Sequence, residues 1–263
     1  KFYGDKKIAD FAGKTKEIKP RMMMFRRTNT SIMFNSDYHL KIYRKLDKLI
    51  NPDLQISEFL SKKVKFKYIP KLAGRIELEV EGFFIVLGKI QEAEDYQNDA
   101  RHYMLDNLQR FFETIQMRND DPSEFPLRGS LTSPRSLDKI EDEHICELLN
   151  MLSVEQMRLL GERTAELHLA LASDTDNPEF DPEEFSLHYQ RSLYSSYQSP
   201  VRETYQLLEK KHDQIPENIL NEVDKILPLR QKVLSILKDV YAKKLDILKI
   251  RTHGNFKLRH VWY

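Results

Sequence analysis

The sequence is poor in cysteine, in glycine, in net charge and in long apolar runs. Cys146 is its single cysteine, so no disulfide can close within the chain and no metal cluster can be built from thiolates. Glycine supplies only 8 of 263 residues, a scarcity that fits a globular, helix-rich protein better than a disordered chain or a β-sandwich. Lysine and arginine number 42 against 41 acids, a formal charge of +1, so nothing global calls for nucleic acid or an anionic membrane. The longest apolar run, residues 83–87, is far short of the ~20 residues a membrane helix needs. Residues 1–10 lack the basic-then-apolar pattern of a secretory signal. A cytoplasmic location is the default expectation.

What is present is a chain that is 40% hydrophobic and 32% charged, enough to bury a real core as one large domain or as two lobes sharing a cleft. The β patterns fall early and the rest reads as helical, an α+β layout. Two short strands are expected at 21–25 and 31–34, joined by the polar turn Thr28-Asn29-Thr30, and a third at 38–44. In the third, Leu40 and Ile42 alternate with His39, Lys41 and Tyr43, so Lys41 faces away from the apolar pair. If the apolar pair faces the core, Lys41 faces an open groove.

Asn51-Pro52-Asp53 punctuates a helix start: a cap, a first-turn proline and an acid that complements the dipole. That helix runs to about Lys63. Residues 75–81 and 83–87 read as a hairpin about Gly82. Helical spacing returns over 96–117, where Tyr103, Leu105, Leu108, Phe111 and Phe112 are expected to give a broad buried stripe. A proline-rich loop spans 119–137, a helix 139–152, and Ser153-Val154-Glu155-Gln156 reads as a capping box opening the next helix. Two long helices are expected at 183–213 and 217–249, bent or broken at Pro200 and Pro228. Short strands are expected at 250–252 and 257–263, around the tight loop His253-Gly254-Asn255. The division into domains is expected after residue 117.

Several strings resemble the maltokinase domain of bacteria, which also occurs fused to trehalose synthase. Asn29-Thr30-Ser31-Ile32 is similar to that family's SNTS turn, and His39 through Arg44 to its LKLFRR strand. Ile50 through Leu54 carries its NPD helix start, and Gln97 through Asp106 follows QGDAWSYTLD. GERTAELHLAL, from Gly161 to Leu171, and FSLHYQRSLY, from Phe185 to Tyr194, are the most specific strings, and His253-Gly254-Asn255 falls where the family has HGD. The resemblance covers most of the chain. It implies a bilobal, protein-kinase-like fold, incomplete at the C-terminus, with ATP and Mg²⁺ serving phosphorylation of maltose to maltose 1-phosphate in trehalose and glycogen metabolism.

The same resemblance assigns roles. Lys41 becomes the phosphate lysine; Asn29, Thr30 and Ser31 offer amides and hydroxyls to phosphate oxygens, and Gln91 and Glu92 join the nucleotide site. Gln55 stands where the family has the acid that holds the lysine, with Glu58 one turn on as a substitute. Asp99 and His253 become sugar-site residues. Asn255 stands at the catalytic aspartate and has no basic carboxylate. His260 stands at a metal-ligating amide, although magnesium prefers oxygen, and Lys257 and Arg259 bring positive charge there. The family's later DFEG metal segment is absent, since the sequence stops at Tyr263. The implied activity is therefore impaired in this chain, and a non-catalytic binding or scaffold module beside a trehalose-synthase-type enzyme is the alternative.

Three further features have plainer readings. His168 shares a helix face with Thr164 and Leu171, as a core histidine does. Tyr189, Leu193, Tyr194 and Tyr197 form a stripe that suits a helix core or a stacked sugar. The basic and aromatic stretch 62–68 suits a solvated helix end, with a single-strand nucleic-acid binder as the other possibility.

Overall fold

The computed structural model describes residues 1–15, 17–25, 28–46, 48, 50–118, 121 and 148–263. They form two compact units, one of Lys1–Ser173 with Thr252–Tyr263 and one of Asp174–Arg251. The division expected after residue 117 falls within the first unit. The expected loop at 119–137, apart from residue 121, and most of the helix at 139–152 lie outside the described residues.

The first unit holds an antiparallel sheet of six strands: β1 (Phe2–Gly4), β2 (Pro20–Phe25), β3 (Asn29–Phe34), β4 (Tyr38–Tyr43), β5 (Leu72–Val80) and β6 (Phe83–Glu92). Their order across the sheet is β1-β5-β6-β4-β3-β2. Strands adjacent in sequence are neighbours in the runs β2-β3-β4 and β5-β6. In the β5-β6 hairpin, Glu81 and Gly82 both take positive φ, 51° and 82°, the two-residue turn whose twist suits paired strands. The sheet is completed where β6 lies against β4. Gly88 makes that approach possible, since a Cβ there would meet the Lys41 carbonyl at 2.6 Å.

Alternation sorts the two faces of the sheet. Tyr38, Leu40, Ala73 and Ile90 form a buried cluster with Ile8, joined by Phe11, Ile32, Phe34, Ile42 and Ile76. Ile8 and Phe11 come from α1 (Lys6–Lys14), capped by Asp5, whose carboxylate accepts from the Ile8 amide at 2.9 Å. On the opposite face, register sets Ser31, Lys41, Lys89 and Arg75 side by side across β3, β4, β6 and β5.

The helix α2 (Pro52–Glu58) begins as its sequence promises. The Asn51 side chain accepts from the Leu54 amide at 3.1 Å and Pro52 takes the first turn. A π-helical turn, Phe59–Lys63, prolongs it, and Leu54, Ile56, Phe59 and Leu60 are buried. Two further helices of this unit are α3 (Ala100–Arg118) and α4 (Met151–Leu171). The cap of α4 is Asn150, which accepts from the Leu152 amide at 3.1 Å. Ser153 therefore lies inside the helix and the expected capping box does not open it; asparagine caps as well as serine, and the helix starts earlier.

In the second unit α5 (Leu187–Lys210) runs through Pro200 unbroken. Pro228 does end α6 (Glu217–Ile226), within the 3₁₀ turn Leu227–Leu229 ahead of α7 (Arg230–Lys238). The expected helix to residue 249 stops early, and β8 (Leu248–Lys249) pairs with β7 (Glu183–Glu184) instead of a strand forming at 250–252. The fully buried Gln190 fastens this region. Its amide donates to the carbonyls of Val240 and Lys243 at 2.5 and 2.9 Å and accepts from the Leu245 amide at 3.2 Å. All three partners lie around 50 residues away, and a buried amide left unpaired would cost ~1–3 kcal/mol.

Candidate functional site

Where α2 crosses the polar face of the sheet, its first-turn acid meets the row of basic residues. Asp53 Oδ2 accepts from Lys41 Nζ at 2.6 Å and from the Tyr43 hydroxyl at 2.8 Å. Asp53 Oδ1 accepts from Lys89 Nζ at 2.7 Å, and Lys89 also donates to Ser57 Oγ at 2.6 Å. Ser57 in turn donates to the Asp53 carbonyl at 2.7 Å. Farther along the row, Arg75 bonds Glu58 and Glu77. The helix thus presents Asp53 and Glu58, a turn and a half apart, to successive cations of the sheet.

The two lysines differ in access. The Lys89 side chain is 6% exposed and that of Lys41 27%. Burial by itself would raise the Asp53 carboxyl, but Lys89 and Lys41 outweigh it and hold the group well below the usual carboxylate range. Burial pulls the Lys89 ammonium down, only partly offset by Asp53. The Tyr43 hydroxyl is pushed far up, first by burial and then by Asp53, so it stays a donor. Two ammonium groups and one carboxylate leave one positive charge in excess, the sign that suits phosphate.

His253 belongs to the same unit and feels this cluster. Burial lowers its pKa, and His260, Lys89 and Lys41 lower it further against the pull of Asp53. Its Nδ1 is buried without a hydrogen-bond partner among the described residues. Gly254 follows at φ 73°, a left-handed turn that glycine adopts without strain, and brings the chain to Asn255. The Asn255 carbonyl pairs with His260 Nδ1 at 2.8 Å. After a 3₁₀ turn, Leu258–His260, the chain lies against the start of α3. The Ala100 amide donates to the Val261 carbonyl and the Gln97 amide to that of Tyr263, both at 2.8 Å. Trp262 stacks on Tyr96 at 4.7 Å. The continuous strand expected at 257–263 is thus a turn followed by a short pairing with Asp99.

Other expected site residues are engaged elsewhere. Asn29, Thr30 and Ser31 lie inside β3, paired with Tyr43, Ile42 and Lys41; they do not form a turn. The ladder occupies their backbone, and alternation leaves Asn29 and Ser31 on the Lys41 face. The acid that holds Lys41 is Asp53, two residues before Gln55, and Glu58 pairs with Arg75. The Gln91 amide donates to the Pro70 carbonyl at 3.2 Å. Glu92 binds Lys7 at 2.9 Å. Asp99 caps α3: one oxygen accepts from the His102 amide at 3.0 Å and the other meets the His102 ring at 2.9 Å. Tyr189 packs under the Lys249 ammonium, Tyr194 against Tyr241, and Tyr197 is exposed. Tyr68 of the basic stretch is covered by Arg163 at 4.1 Å.

Among the described residues no group of three or more His, Cys, Asp or Glu side chains could hold a metal ion. His260, at the expected metal position, offers ring nitrogens and does not fit Mg²⁺, which takes oxygen donors. No described helix is long and apolar enough to cross a membrane.

No family model matches the chain, and no curated protein does. Solved structures do. A glucosamine kinase in complex with glucosamine, ADP and inorganic phosphate is 14% identical with a TM-score of 0.57, covering 97% of this chain and 48% of its own. A second crystal structure of glucosamine kinase gives 14% and 0.56, over 97% and 47%. A third gives 14% and 0.52, over 95% and 52%. The chain spans about half the length of these proteins and has a sugar-kinase-like α+β fold over nearly all of itself.

Proposed function

We propose that this chain is the nucleotide-binding part of a maltokinase-like carbohydrate kinase, with ATP as donor, maltose as acceptor and a cytoplasmic location. The observation that carries this reading is the ion pair from β4 to α2, Lys41 to Asp53 at 2.6 Å, in a chain whose fold resembles sugar kinases. Phosphoryl transfer is mostly positioning and charge neutralisation, and a lysine held by an acid at the edge of a cationic row supplies both. Lys41 would meet the β- and γ-phosphates, with Ser31 and Asn29 beside it on the sheet.

For transfer, the anomeric hydroxyl of maltose must attack phosphorus, ADP must leave, and a base must take the hydroxyl proton. Asn255 is not a base at neutral pH, so the chain would bind the nucleotide and transfer slowly or not at all. That substitution favours a second reading, a binding or scaffold module attached to a trehalose-synthase-type enzyme.

Calorimetric titration with ATP, ADP, maltose and glucosamine tests both. The kinase-derived reading expects ADP binding that Lys41→Met weakens at least ~10-fold, with maltose preferred over glucosamine. Absence of nucleotide binding in the full-length polypeptide would refute it. Nucleotide binding with maltose-dependent ADP release would refute the scaffold reading.

A further inference from the structure

A single phosphate-binding lysine needs one acid to hold it, yet Asp53 holds two. The second, Lys89, lies directly across from Lys41 and is almost fully enclosed, with a 6% exposed side chain locked between Asp53 Oδ1 and Ser57 Oγ. An enclosed ammonium with two short bonds to one helix cannot turn outward to a ligand without stranding its partners. Lys41 is the accessible one, and it donates to Asp53 Oδ2, a carboxylate oxygen that Tyr43 also serves. When Lys41 turns to an anion, Asp53 keeps Lys89 and the Tyr43 hydroxyl. Without Lys89, the same movement would leave a partly buried carboxylate, its side chain 33% exposed, with one neutral donor, a penalty that opposes ligand binding.

We propose that Lys89 is a positioning residue that stays with Asp53 and so frees the Lys41 ammonium to engage phosphate, a role resting on the reading that Lys41 meets a nucleotide. It divides one charge task between two strands: β6 fixes α2 and its acid, and β4 carries the mobile cation. The inverse relation between exposure and hydrogen bonding in the two lysines is what this division requires. The depressed carboxyl of Asp53 agrees with a group that remains ionised when one cation departs.

The test is a double-mutant cycle read by ADP affinity in the absence of divalent cation, using the wild type, Lys89→Met, Asp53→Asn and the double variant. Lys89→Met should weaken ADP about 10-fold, because Lys41 becomes committed to Asp53. Adding Asp53→Asn to Lys89→Met should recover most of that loss, because it releases Lys41. A purely structural Lys89 gives losses that add, and additive losses or an unchanged Lys89→Met would overturn the proposal. If Lys89→Met does not fold, the double variant, which buries neither charge, supplies the comparison with Asp53→Asn alone.

A nucleotide-free readout separates this proposal from the function it rests on. The Asp53 carboxyl carbon, followed by NMR titration, should rise more in Lys89→Met than in Lys41→Met, since the enclosed ammonium acts through the lower dielectric. The reverse order overturns the role of Lys89 whether or not ADP binds. A wild type that binds no ADP, with the two variants in the expected order, refutes the nucleotide function and leaves the charge division standing.

Discussion

Lys41 and Lys89 are direct cross-strand partners, and each ammonium bonds a different oxygen of Asp53. Like charges facing each other on neighbouring strands repel, so the carboxylate between them is what lets β4 and β6 carry both. Asp53→Asn keeps the shape and removes the charge. We expect it to destabilise the first unit by about 3 kcal/mol, as when one partner of a buried pair is removed, measured by urea unfolding. A loss below ~0.5 kcal/mol would mean that the lysines need no counter-charge.

Acid should reproduce that variant. The Asp53 carboxyl is lowered in the folded chain, so its contribution is complete above the unfolded value of ~3.9 and is lost as pH falls through the lower folded value. Wild type and Asp53→Asn should therefore differ most near pH 6 and converge toward pH 2. Parallel curves down to the acid limit would contradict the assignment.

Two histidines act at milder pH. His39, alternating with Leu40 on β4, and His253 are both lowered, in each case first by burial and then by nearby cations. The folded chain keeps them neutral while the unfolded chain binds protons below ~6.5, so stability should fall as pH drops through that value. His212 is raised, first by its hydrogen bond with Asp224, and opposes the trend in the second unit. Replacing His39 and His253 by glutamine should flatten the slope of unfolding free energy between pH 7 and 5. A slope that survives both changes places the titration elsewhere.

Local signals and long-range ones were not equally legible. Alternation in residues 38–44 correctly set Lys41 opposite Leu40 and Ile42, and Asn51-Pro52-Asp53 marked the start of α2. Those readings need only neighbouring residues. Asp53 read as a helix-dipole acid, because its ion pairs lie 12 and 36 residues away and depend on how α2 crosses the sheet. Lys89 went unnoticed for a local reason: the strand was expected to stop at Leu87, before the apolar run gives way to Gly88 and Lys89. The segment Asn29-Thr30-Ser31 looked like a turn because polar β-formers and turn formers overlap. The start of the chain could have been found, since Asp5 precedes Ile8 and Phe11 at helical spacing.

The change that bears most directly on chemistry is Asn255→Asp. It would place a carboxylate two residues from His253, across the left-handed Gly254. In the full-length polypeptide, a base there should give maltose-dependent ADP release at least ~100-fold above the Asn255 form, the usual contribution of a positioned general base. The new charge should also raise the lowered His253, so the histidine's NMR titration should move toward neutral pH. Both changes together would mark residue 255 as facing the acceptor side of the lysine cluster. A shifted His253 without turnover would show a carboxylate in place but no transfer, and would favour the scaffold reading. No shift at all would mean that the side chain of residue 255 points away from His253, and the kinase-derived reading would lose its acceptor end.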